Sequence, residues 1–192
     1  MNNLLKTYNF SNFEIVKGNG CYLYTADNKK LLDFSAGVAV NSLGYNHSVV
    51  KKTIQEQLKT GITHLSGSQI HLYKYKLSQL LSKESNKGDV FFSNSGAESI
   101  EAALKIARNF GSSKGRDEII AMTSSFHGRT IGALSVGSNK AYKSNIGPVP
   151  GKVRFCNFND SKNLKKLTNK KTLAIILEFI QGDGGINICS KE

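Results

Sequence analysis

The chain reads as an α/β fold, a mostly parallel sheet with covering helices. Three apolar runs, at residues 89–92, 118–123 and 172–177, each stop at a turn of small or polar residues. Strand-like and helix-like spacing alternates along the same stretch, which is how parallel strands and their crossover helices read in sequence.

Taken in order, residues 14–17, 21–24 and 31–33 form three short strand patterns, the first pair joined by a Gly18-Asn19-Gly20 turn. No helix follows those glycines, so they mark a hairpin and not a nucleotide fingerprint. Residues 48–59 and 72–81 carry helical spacing, with Val49, Thr53, Ile54 and Leu58 on one face of the first. After residue 95 a further helix is marked by Ala97, Ile100, Leu104 and Ala107. Glu98 lies in its first turn, and Glu101 stands four residues before Lys105, the spacing of a helical ion pair. The run at 172–177 is uninterrupted and apolar, which suits a strand covered on both faces.

Three turns carry the candidate chemistry. Ser95, Gly96 and Ala97 open a helix with no bulky side chain, where unpaired N–H groups and the helix dipole suit a phosphate; Ser95 as a plain cap explains the same residues. After the 118–123 run come Phe126, Gly128 and Arg129. Ligands of open parallel sheets bind beyond the carboxyl ends of the strands, so both turns would face one crevice. There Phe126 could stack on a planar ring and Arg129 could grip a carboxylate with its forked donors. Arg129 is one of only 4 Arg against 22 Lys. A core Phe126 and a surface ion pair for Arg129 remain the competing account. The third turn follows the 172–177 run with Glu178 and a glycine-rich stretch to Gly185.

Together these segments resemble the class III, fold-type I aminotransferases that use pyridoxal phosphate, the acetylornithine aminotransferases most of all. Residues 33–47 (DFSAGVAVNSLGYNH), 132–135 (GALS), 147–151 (GPVPG) and 157–160 (NFND) carry the resemblance along nearly the whole chain, in the family's order. It implies that residues 1–60 belong to the N-terminal segment of the small domain and the substrate entrance. Residues 61–192 would be the first half of the cofactor-binding large domain. By the same resemblance Ser95, Gly96 and Ala97 bind the phosphate of pyridoxal 5'-phosphate, and Phe126 stacks on its ring. Arg129 binds the substrate α-carboxylate, Val40 and Asn41 border the substrate entrance, and Asp183 corresponds to an acidic switch that shields a second arginine. The implied reaction moves an amino group between N-acetylornithine and 2-oxoglutarate in arginine synthesis, in a cytoplasmic homodimer. Ornithine, succinyldiaminopimelate, 4-aminobutyrate and acetyllysine transferases share these motifs.

The chain departs from the family pattern in three places. The usual Glu-Pro-x-Gln-Gly-Glu is Glu178-Phe179-Ile180-Gln181-Gly182-Asp183, with a shorter acid at the switch position. A segment that usually resembles Ser-Asn-Leu-Tyr is Ser66-Gly67-Ser68-Gln69. The family's pyridine-nitrogen aspartate and Schiff-base lysine have no counterpart in residues 1–192. No catalytic residue is therefore assigned, and the expectation is an N-terminal fragment or half-subunit that is inactive alone and needs a partner chain.

Composition narrows the remaining classes. The net charge is +12, yet the lysines are dispersed and no basic stripe alternates with aromatics, which argues against specific nucleic-acid binding. Cys21, Cys156 and Cys189 are widely spaced and the four histidines lack ligand spacing, so neither a disulfide framework nor a metal site is expected. No apolar run suits a signal peptide or a membrane span.

Overall fold

The computed structural model describes residues 3, 5, 7–85 and 87–191. It divides into two compact units, Met1–Leu81 and Ser82–Glu192, with the division inside one helix, Leu72–Glu84.

The first unit contains a three-stranded antiparallel meander, β1 (Ile15–Asn19), β2 (Tyr22–Thr25) and β3 (Lys30–Leu32), in the order β1-β2-β3. The hairpin turns at Gly20-Cys21 and not at 18–20: Gly18 stays paired opposite Leu23, while Gly20 takes φ +56°. Gly18 is needed inside the strand because a Cβ there would stand 2.6 Å from the Tyr45 ring. Helix α1 (Ser48–Lys59) and helix α2 (Leu72–Glu84) fall where helical spacing predicts them, and neither has a buried residue.

The second unit is the parallel α/β part. Its elements are α3 (Gly96–Ser112), β4 (Glu118–Met122), α4 (Ile131–Val136), a 3-10 helix (Lys140–Lys143), β5 (Lys152–Cys156), α5 (Ser161–Leu167), β6 (Thr172–Ile176), β7 (Ile180–Gln181) and β8 (Asn187–Ile188). The sheet order is β5-β4-β6, with β4 parallel to both neighbours, and β7 with β8 makes a separate antiparallel hairpin.

Strand β4 is the covered strand. Ile119 and Ala121 pack with Leu104 and Val136 on one face, while Ile120 and Met122 pack with Cys156, Phe158, Leu164 and Leu167 on the other. The β6 run was expected to be covered on both faces. It is instead an edge strand with one covered face: Leu173 and Ile176 join the cluster that holds Leu104 of α3, while Ile175, on the face shared with Ile120, is 42% exposed and lies outside that face's apolar cluster. The apolar run at 89–92 is in no strand; its backbone has no ladder partner among the described residues.

Candidate active site

The site is assembled where β4 and β6 end and α3 begins. The Ser95 hydroxyl accepts from the Glu98 N–H (3.2 Å), and the Glu98 carboxylate accepts from the N–H groups of Asn94 (2.6 Å) and Ser95 (3.0 Å). This is a capping box, so Ser95 does cap the helix. The amides of Gly96 and Ala97, the next two along, take no part in it. A Cβ on Gly96 would meet nothing within 4 Å, so there is open space beside Gly96.

The turn after β4 sits directly against this helix start. Gly128 has φ +123°, and a Cβ there would be 2.8 Å from the Ala97 Cβ. Both the backbone angle and the close approach demand glycine. The two turns expected to share a crevice are thus in contact. Phe126 is half-buried, with its ring edge-on to Tyr142 at 5.8 Å. The exposed Arg129 guanidinium lies 5.1 Å from the Tyr142 ring centre and 5.8 Å from that of Phe126. Ser95, Gly96, Ala97, Phe126 and Arg129 therefore lie in one neighbourhood.

The third turn joins them through Glu178, whose carboxylate accepts the Phe126 N–H at 3.1 Å. Burial pushes the Glu178 carboxyl above its ordinary range; the Phe126 amide opposes that rise and the negative charge of Asp183 adds to it. Asp183 itself is exposed, between β7 and β8. Gln181 is fully buried, donating to the Thr123 carbonyl (2.8 Å) and accepting from the Asn187 amide (3.3 Å). Next to Phe126, His127 is buried with no partner for Nε2 among the described residues, and burial lowers its pKa, which keeps the ring neutral at pH 7.

Glu101 does not make the expected helical pair with Lys105. Its Oε1 accepts from the Thr130 hydroxyl (2.6 Å) and from the N–H groups of Gly132 (2.9 Å) and Ala133 (3.3 Å). Unpaired N–H groups at the start of α4 outbid an exposed ion pair of about 0.3–0.5 kcal/mol. The carboxyl is held below its ordinary range, chiefly by the Thr130 hydroxyl.

Val40 and Asn41 belong to the first unit. They follow a left-handed turn in which Ala36, Gly37, Val38 and Ala39 have φ of 47°, 61°, 61° and 65°. Asn41 N–H closes that turn on the Ala36 carbonyl at 2.9 Å, and Val40 is 84% exposed. Three of the four left-handed residues are not glycine, a strain of the kind stored at functional segments. With Gly44, Tyr45, His47 and Ile54 they line a cavity in this unit.

Residue-by-residue reading overlooked Tyr142, Gln181 and the role of Glu101. Gln181 and Glu178 lie inside the motif at the third turn, which was the available signal. Tyr142 stands 13 residues after Arg129 with no periodicity to single it out.

The start of helix α3 and the aromatic- and arginine-bearing turn after a parallel strand meet at one end of the sheet, an arrangement of the α/β class. A family model for aminotransferase class III matches residues 6–192, and the chain belongs to that family of pyridoxal-phosphate enzymes. It is 41% identical over 192 residues to an acetylornithine aminotransferase of Clostridium acetobutylicum, covering 98% of this chain and 49% of that protein. It is 42% identical to a mitochondrial acetylornithine aminotransferase of Debaryomyces hansenii, covering 97% of this chain and 42% of that one. The fold is that of fold-type I aminotransferases: an ornithine aminotransferase from Toxoplasma gondii, crystallised with partial occupancy of pyridoxal phosphate, superimposes with a TM-score of 0.89 at 25% identity, over 98% of this chain and 45% of that one. The chain thus spans about half the length of the curated relatives it matches. Among the described residues no helix is long and apolar enough to cross a membrane.

Proposed function

We propose that this chain supplies the phosphate-, ring- and carboxylate-binding part of an acetylornithine aminotransferase. The observation that carries the proposal is the seat of Gly128 on Ala97, which sets Phe126 and Arg129 beside the start of α3. The residues fit pyridoxal 5'-phosphate: Ser95, Gly96 and Ala97 for the phosphate, Phe126 for the ring. When bound, that cofactor supplies an electron sink for the carbon that loses its proton. Arg129 holds the substrate α-carboxylate through its forked donors, and the Phe126 and Tyr142 rings orient the guanidinium. Asp183 acts as the switch acid, and Val40 and Asn41 border the substrate entrance.

No lysine is among the residues gathered at this crevice, and moving the α-proton requires such a base. We place it in the length of the relatives that this chain does not span, so residues 1–192 alone are proposed to be inactive. A cytoplasmic homodimer and a division into small-domain and large-domain segments at residues 60 and 61 belong to the same proposal.

The test is the donor profile of the intact protein with 2-oxoglutarate as acceptor. N-acetylornithine is expected to give the highest kcat/KM among itself, ornithine, succinyldiaminopimelate, 4-aminobutyrate and acetyllysine. A higher value for another donor reassigns the substrate within the family, and no glutamate formed from any of them overturns the proposal.

A further inference from the structure

We infer that Glu178 and Gln181 are positioning residues, a two-point clamp from the β6 side that fixes the turn at 123–129 and so sets the pose of Phe126 and Arg129. The inference rests on the pyridoxal phosphate reading for its consequence, and on geometry for the clamp itself.

The β4–β6 ladder ends at the pair Ala121↔Ile176, so the turn that carries Phe126 lies beyond the last rung. On the β5 side it is tied by the Thr123 N–H to the Cys156 carbonyl at 2.8 Å. A second tie runs to Ser138, whose hydroxyl accepts the Ser125 N–H at 3.1 Å. Facing β6, the described bonds are those of Gln181 to the Thr123 carbonyl and of Glu178 to the Phe126 N–H, spanning 58 and 52 residues of sequence. Between these two anchors Ser124 takes φ +58°, a left-handed angle that a non-glycine residue holds only when its surroundings over-determine it. Gly184 presses on the Ser124 carbonyl so closely that a side chain there would collide with it.

The chemistry of each anchor suits the task. Gln181 has both ends of its buried amide paired, which fixes its rotamer and makes it a rigid strut. Glu178 offers a carboxyl oxygen, Oε2, that accepts the Phe126 N–H from across the turn. Neither side chain belongs to the groups assigned to phosphate, ring or carboxylate. Their effect reaches the ligand through the backbone of Phe126.

The experiment uses the intact protein as wild type, Glu178→Ala, Glu178→Gln and Gln181→Met. Three readouts are taken: amide hydrogen exchange at Phe126 without added cofactor, the Kd for pyridoxal 5'-phosphate, and the circular dichroism of the bound cofactor's visible band. Glu178→Ala and Gln181→Met are expected to accelerate Phe126 exchange, weaken cofactor binding roughly tenfold and reduce the visible dichroism. Glu178→Gln keeps an acceptor within reach of the amide and is expected to restore all three. Unchanged Phe126 exchange in both disruptive variants overturns the clamp. A fall in melting temperature with unchanged exchange, Kd and dichroism also overturns it, since the residues would then be structural only. If wild type fails to bind the cofactor, the functional reading falls, while the exchange at Phe126 still decides the clamp.

Discussion

Helices α1 and α3 carry apolar residues at comparable helical spacing, yet they end in opposite environments. In α1, Val49, Ile54 and Leu58 are 64%, 55% and 61% exposed, whereas Leu104 of α3 is 5% exposed. The difference is what each helix has to pack on within its own unit. Helix α3 lies against a parallel strand, β4, whose Ile120 and Ala121 have no exposed surface at all. The first unit offers α1 no buried face among the described residues. Amphipathic spacing selects which face a helix can bury, and only a neighbouring layer removes that face from water. The candidate site follows the same division: Ser95, Phe126 and Arg129 stand on the unit with the covered strand.

The largest expected effect tests this contrast directly. Ile120→Ala should cost about 2–5 kcal/mol by urea unfolding, while Ile54→Ala in α1 should stay within about 0.5 kcal/mol. Equal losses would erase the distinction between the two units.

Arg129→Lys keeps the charge and loses the fork. Removing a charged, two-pronged contact worth about 1.5–3 kcal/mol should lower kcat/KM of the intact enzyme roughly 10- to 150-fold. Unaltered kinetics would assign Arg129 to the surface.

A matched pair of glycines sharpens the comparison at the level of the turns. Gly128→Ala faces both a left-handed φ and a collision with Ala97, and should cost about 1–3 kcal/mol together with cofactor affinity. Gly37→Ala has a similar backbone penalty, about 1–2 kcal/mol, but open space around it, so it should be the milder change by thermal melting.

Smaller still is the acid-range contribution of Glu101. Its folded pKa is depressed, so its stabilisation is present above the ordinary glutamate value of about 4.3 and lost as pH falls through the lower folded value. The stability gap between wild type and Glu101→Gln should therefore be constant near neutrality and shrink on acidification. A gap that widened in acid would show that the carboxylate is not held by the α4 start.

The meander, α1, α2, α3 and the runs of β4 and β6 were legible because each rests on local spacing. Helix α4 was not: six residues including Gly132 and Ser135 carry no apolar stripe, and the helix is stabilised by a carboxylate from α3. The hairpin turn was read two residues early because Gly18 looks like a turn residue, while its absent side chain makes room for Tyr45. The apolar run of β6 suggests two covered faces because it records what a strand can bury and not which layers lie over it, and Ile175 has none among the described residues.

For the site, the sequence by itself determined the cap on α3, the aromatic and arginine turn, and the family to which both belong. These depend on residues within a few positions of one another, where chain geometry leaves little choice. Tertiary structure alone decided that Glu101 leaves Lys105 for the start of α4, that Phe126 finds Glu178 at a separation of 52 residues, and that Gln181 is sealed beneath the turn. A carboxylate or amide takes the donors that folding desolvates beside it. Which donors those are is set by packing between elements distant along the chain.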